Sequence, residues 1–142
     1  MVDVGANFGW YSLLSLALGC QVIAFEPITS WREAIQLGVV LNGQHFHSRL
    51  RLVPAVVYPE QGVFTLWVPN PHTSDGKVQM GATTMDGLVG SYKRVDGSLP
   101  QNASSVRIDD YKLHDVCMLK VDVEGNEPQV LQTAQNLLSR HA

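Results

Sequence analysis

MVDVGANFGWYSLLSLALGC, residues 1–20, is the stretch whose reading decides the fold. Met1 to Val4 is a short apolar run broken only by Asp3, the pattern of a strand buried in a sheet. It passes into Gly5-Ala6-Asn7-Phe8-Gly9, where small residues let the backbone approach a ligand. Trp10, Leu13, Leu14, Leu16, Ala17 and Leu18 then supply the apolar side of a helix that Gly19 stops. A strand, a tight turn and a helix N-terminus in that order make a nucleotide-cofactor loop. The dinucleotide fingerprint G-x-G-x-x-G would need glycine at 5, 7 and 10, but Asn7 and Trp10 stand there, so NAD binding is disfavoured. Asn7 is one of the few non-glycine residues that tolerates the left-handed conformation such a turn requires.

Working outward, Gln21 to Phe25 reads as a second buried strand ended by Glu26-Pro27. Thr29 or Ser30 caps a helix over residues 31–42, with Asn42-Gly43 as its end signal. Strand, helix, strand, helix is the order of an α/β fold with a mostly parallel sheet. Arg51 to Val57 is a third strand, and Val63 to Val68 is predicted to pair with it as a hairpin. From Pro69 to Ser105 the chain is rich in Gly, Ser, Thr, Asn, Pro and Asp, the composition of a long lid or binding loop. Regular structure returns at Ser105 to Ile108, followed by a polar turn through Asp109-Asp110. An apolar strand over Val116 to Val123 and a helix over Glu127 to Ser139, with Pro128 in its first turn, complete the pattern.

The 142 residues, 45% of them hydrophobic, predict one globular domain over the whole chain, with a core that needs no staples. A net charge of −3 gives no positive field for nucleic acid. The two cysteines, Cys20 and Cys117, have no C-x-x-C or Cys/His cluster, which argues against a disulfide framework or a structural zinc site and for reduced thiols. No apolar stretch reaches the 18 or so residues of a membrane span, and no signal peptide is evident, so a cytoplasmic protein without membrane contact is expected.

Two constellations carry the chemistry. Glu26 ends the second strand about twenty residues after Gly5, where a doubly wound fold places an acidic residue for ribose hydroxyls. The plainer alternative is a solvated carboxylate at a strand end. The second constellation is Leu119-Lys120-Val121-Asp122-Val123-Glu124-Gly125-Asn126-Glu127, closing a strand expected beside the first. Alternation puts Asp122 and Glu124 on one side of that strand, near a cofactor at the sheet's carboxyl end. There they can orient a cation, accept a proton or bind Mg²⁺. The competing reading pairs Asp122 with Lys120 and makes Glu127 a helix cap. His114 is a further candidate base, ranked below the carboxylates because it precedes the strand. Asp109-Asp110 reads first as a helix cap, and Trp10, Trp31 and Trp67 as packing residues before substrate platforms, with Trp10 at the cofactor-loop helix open to either role.

VDVGANFGWYSLL, AFEP, LNG, LVPAVV, the Gly-Ala-Thr-Thr of the long loop, VRIDDY and LKVDVEGNEPQVLQ together resemble the FkbM family of S-adenosylmethionine-dependent methyltransferases, in order and spacing across nearly the whole chain. The resemblance implies a class I, Rossmann-like three-layer fold with S-adenosyl-L-methionine as cofactor. It implies a cofactor loop of Asp3, Gly5, Ala6, Asn7, Phe8 and Gly9, in which Gly5, Ala6, Asn7 and Gly9 contact the methionine part. Glu26 would take the ribose, and Pro27, Ile28, Ala55 and Val56 would border the adenine. Asp122 and Glu124 would line the reaction side, with no metal demanded. The implied reaction is O-methylation of a hydroxyl on a carbohydrate, polyketide or similar small molecule by direct displacement. A non-catalytic module that binds the cofactor is the alternative.

Class I methyltransferases usually have seven strands in the order 3-2-1-4-5-7-6. Here the chain starts inside the first strand and stops after the helix that follows the fourth, so the sequence is expected to be a partial domain. The fourth core strand would then be an exposed edge, and the chain is expected either to self-associate through it or to be marginally stable.

Overall fold

The computed structural model describes residues 1–68, 70, 84–85 and 97–140, with 84–85 described by their backbone alone. Strand β1 (Val2–Val4), helix α1 (Trp10–Ala17), β2 (Val22–Phe25), α2 (Thr29–Asn42), a short α3 (Gln44–His47) and β3 (Leu50–Val53) follow in order. Then come β4 (Val56–Val57), β5 (Val63–Val68), β6 (Thr84–Met85), β7 (Leu99–Val106), a 3-10 turn (Ile108–Tyr111), β8 (Leu119–Val121), α4 (Glu127–Gln132) and α5 (Gln135–Ser139).

The main sheet has the order β3-β2-β1-β8 with every pair parallel. Its two central strands, β1 and β2, are buried on both faces, and the alternation of their side chains separates two cores. Val22 and Ala24 face Leu16, Ile35 and Val39 of α1 and α2. Val2, Val4, Ile23 and Phe25 face Ile108, Val130 of α4, Leu137 of α5 and Ala134 between those helices. The result is the expected three-layer, Rossmann-like sandwich. From β1 the chain winds to β2 and β3 on one side, and β8 joins on the other. The carboxyl ends of β1 and β8 are therefore a topological switch point, where ligands bind in open α/β sheets.

A second sheet, β4-β7-β5-β6, corrects the hairpin expected between residues 51–57 and 63–68. Pro54 ends β3, and β4 leaves the main sheet to run parallel with β7. The partner of β5 is also β7, antiparallel from Val63↔Ser104 to Val68↔Leu99. Most of the long loop expected from Pro69 to Ser105 lies outside the described residues, at Pro69, 71–83 and 86–96, while β7 occupies its end. The inner side of this sheet sets Leu66 and Ala103 on Ile28, beside Trp31 and Val56.

The expected final helix is two helices. Thr133 O accepts from Asp109 N at 2.9 Å, which takes that carbonyl out of a continuous helix. Asp109 then caps α5, its carboxylate accepting from Asn136 N at 3.0 Å and Leu137 N at 3.1 Å. No helix among the described residues is long and apolar enough to cross a membrane.

Candidate functional site

At the end of β1 the chain turns sharply. Gly5 has φ 74°, Asn7 54° and Gly9 85°, so the left-handed geometry expected of Asn7 is present. Gly5 N and Ala6 N both donate to Phe25 O, at 3.0 and 3.2 Å, holding the turn over β2. A Cβ on Gly5 would stand 2.0 Å from Asp122 O, so the residue is glycine for conformation and for its close approach to the end of β8. A Cβ on Gly9 would lie 2.7 Å from Ile35 Cγ1, which makes that glycine a contact between helices.

Glu26 is buried rather than solvated. Its Oε2 accepts from Asn7 N at 2.7 Å and its Oε1 from Ile28 N at 2.8 Å, so one carboxylate ties the turns after β1 and β2 together. Burial pushes the carboxyl up to about 7, against the pull of those two N–H groups and of the Arg32 and Lys120 charges. The turn after β2 is held from two further directions. Arg32 donates to Glu26 O and Pro27 O. Gln101 of β7 donates from Nε2 to Pro27 O at 2.6 Å and accepts from Thr29 N at 3.1 Å.

The third strand end differs from the sequence reading. β8 stops at Val121, Asp122 N still donates to Val4 O at 3.1 Å, and Glu124 at φ 57° and Gly125 at φ 96° form a turn, so Glu124 reaches the cleft by a turn and not by strand alternation. Glu127 Oε1 accepts from Val123 N at 3.1 Å and Gly125 N at 3.2 Å, closing that turn. Backbone N–H groups, its own among them, hold the Glu127 carboxyl below the usual carboxylate range. The Asp122 side chain is 69% exposed, with Oδ2 3.9 Å from Lys120 Nζ. Of the plainer reading, the Lys120 pair is present, but Glu127 closes the turn before α4 and does not cap the helix, and neither contact removes Asp122 and Glu124 from the cleft.

One cleft collects Gly5, Asn7, Glu26, Pro27, Ile28, Ala55, Val56, Asp122 and Glu124. Four of the residues expected at the cofactor do not line it. Asp3 is buried behind the wall, accepting from Ser12 Oγ at 2.7 Å, and Ala6 points into the core. Phe8 packs on Trp31 with ring centres 5.7 Å apart, and Gly9 meets Ile35. His114 contacts Arg140 before β8, at the far end of the strand from the cleft, which takes it out of the candidate bases. Trp31, Tyr58, Leu66 and Asn126 line the cleft and were missed. Trp31 reads from the sequence as a packing residue before a substrate platform, and Leu66 comes in on the second sheet. Trp10, also read as packing, is 76% exposed. Among the described residues no group of three or more His, Cys, Asp or Glu could hold a metal.

The family described as methyltransferase FkbM domain matches residues 3–142. A solved structure, described as methyltransferase FkbM from Methylobacillus flagellatus KT, superimposes with a TM-score of 0.63 at 19% identity. That likeness is one of fold; it covers 99% of this chain, which spans 30% of the other. No curated protein matches the chain.

Proposed function

The chain belongs to the methyltransferase FkbM domain family, and from that premise we propose that it binds S-adenosylmethionine across the ends of β1, β2, β3 and β8 and transfers the methyl group to a hydroxyl of a carbohydrate, polyketide or similar small molecule. The observation that carries this reading is the convergence of Gly5, Glu26 and Glu124, from three strand ends, on one cleft.

The residues present fit an adenosyl group. Each Glu26 oxygen accepts one backbone N–H, which leaves a lone pair on each for a pair of ribose hydroxyls. Pro27, Ile28, Ala55 and Val56 offer an apolar wall for a flat base, with Trp31 and Leu66 beyond it. Gly5 and Asn7 bring backbone rather than side chains to the methionine end.

When bound, the cofactor supplies a methyl group activated by a sulfonium. The chain's part is to align acceptor and methyl and to keep water out. Asp122 and Glu124 place negative charge on the reaction side, where it steadies a cation. Glu124 is the better general base, since no hydrogen bond or ion pair among the described residues engages its carboxylate, whereas Asp122 is drawn toward Lys120. The acceptor's proton passes to Glu124 as its oxygen attacks.

Calorimetric titration with S-adenosylhomocysteine, with Glu26→Ala in parallel, tests the reading. Binding that the substitution weakens by about 1–3 kcal/mol supports it, and methyl transfer to a panel of alcohols and sugars then follows. Binding without turnover identifies a module that holds the cofactor without catalysis. Absence of binding by the folded chain overturns the proposal.

A further inference from the structure

Lys120 stands in register with Asp3 across the β1–β8 pair. Its Nζ donates to Gly5 O at 2.6 Å and lies 3.2 Å from Asp3 Oδ1 and 3.9 Å from Asp122 Oδ2. The ring centre of Tyr11 on α1 is 5.7 Å away. Asp3 is fully buried, and its Oδ1 makes no hydrogen bond, so Lys120 serves it as a neighbouring charge while an ammonium N–H goes to Gly5.

We propose that Lys120 is a positioning residue for the cleft, locking the Gly5 peptide to the end of β8 so that the turn over residues 5–9 and Asp122 keep one relative position. The proposal rests on the functional reading above for what the cleft holds, but the contact itself does not. Gly5 has no side chain to fix its peptide plane, and glycine is free to rotate there. An ammonium on its carbonyl removes that freedom. The next two N–H groups depend on it: Ala6 N is aimed at Phe25 O and Asn7 N at Glu26. The same ammonium offsets the charge of Asp3, which is buried behind the cleft wall.

Lys120→Met alone would leave Asp3 buried without its cation, a fault in folding rather than in positioning. The test therefore uses the double variant Asp3→Asn/Lys120→Met, which keeps the pair neutral, and Lys120→Arg, which keeps the charge. Amide hydrogen exchange in the ligand-free chains is read at residues 5–7 and, as the reference, at 22–25. The double variant is expected to exchange about tenfold faster at 5–7 with 22–25 unchanged, and to bind S-adenosylhomocysteine about tenfold more weakly, the scale of one charged hydrogen bond. Lys120→Arg is expected to restore most of both. Unchanged exchange at 5–7, or equal acceleration at 22–25, overturns the proposal. If the parent chain does not bind S-adenosylhomocysteine, the functional reading falls while exchange still decides the role of Lys120.

Discussion

Glu26→Gln exchanges a buried carboxyl for a neutral group of the same shape, and its effect on stability is expected to change with pH. Burial raises the Glu26 carboxyl from its ordinary 4.5 to about 7. Between those values the folded chain holds a proton that the unfolded chain has released. The contribution of Glu26 to stability is therefore greatest below 4.5 and is lost as pH rises through 7. At about 1.36 kcal/mol for each tenfold change in proton affinity, the whole loss is about 3 kcal/mol. Glutamine does not titrate. Its NH₂ must face the N–H of either Asn7 or Ile28, which costs one hydrogen bond, but that penalty has no pH dependence and only offsets the curve. Urea denaturation of both chains at pH 5, 6, 7 and 8 isolates the effect, because every other titrating group cancels in the difference. From pH 5 to pH 8 the glutamine chain is expected to gain about 2–3 kcal/mol on its parent. Parallel curves across that range would refute the reasoning, since they would mean that Glu26 titrates alike in the folded and unfolded chains.

Gly5→Ala and Gly43→Ala both put a Cβ on a residue of positive φ, but at Gly43 it meets nothing within 4 Å while at Gly5 it collides with Asp122 O. Thermal or urea unfolding is expected to show a loss of about 1 kcal/mol at Gly43 and at least about 2 kcal/mol more at Gly5. Glu124→Gln is expected to lower kcat by about 10²–10⁴ with S-adenosylhomocysteine affinity nearly unchanged, and Asp122→Asn to lower it less, in steady-state methyl-transfer assays. Gln101→Ala frees Thr29 N and leaves Pro27 O to Arg32 alone, and about 1–2 kcal/mol of stability is expected to go with the two lost bonds, together with faster amide exchange at Thr29.

The main sheet was legible because its signals are local. The apolar run Val22 to Phe25, the helix stop at Gly43 and the turn from Gly5 to Gly9 each announce an element within a few residues of themselves. The second sheet was not. β7 reads Leu-Pro-Gln-Asn-Ala-Ser-Ser-Val, and only Ala103 of these eight residues is buried. With one face against Ile28 and the other in solvent, the strand carries almost no apolar alternation and has the composition of a loop. Its place between β4 and β5 follows from pairing across about forty residues of chain, which no local pattern encodes. The break between α4 and α5 escaped for a related reason: the Asp109 that caps α5 belongs to a different segment.

The same distinction divides the candidate site. Gly5, Asn7 and Glu26 were found because a strand end followed by a turn is a local pattern, and Asp122 and Glu124 because they close a strand. For Glu124 strand alternation is not the reason: β8 ends at Val121, and a left-handed turn at Glu124 and Gly125 stands where the strand was expected to continue. Asp3 and Phe8 were included with the loop that contains them, yet side chains one position apart in such a segment point to different places. Asp3 therefore went to Lys120 and Phe8 to Trp31. Residues that act on the loop from elsewhere in the chain left no trace in its own sequence. Gln101 reaches Pro27 and Thr29 from the second sheet, and Lys120 reaches Gly5 only because β8 lies beside β1 in the register Asp3↔Lys120. A sequence motif thus names the groups that meet a ligand more readily than the groups that hold them in place, since the latter are set by register and packing between distant segments.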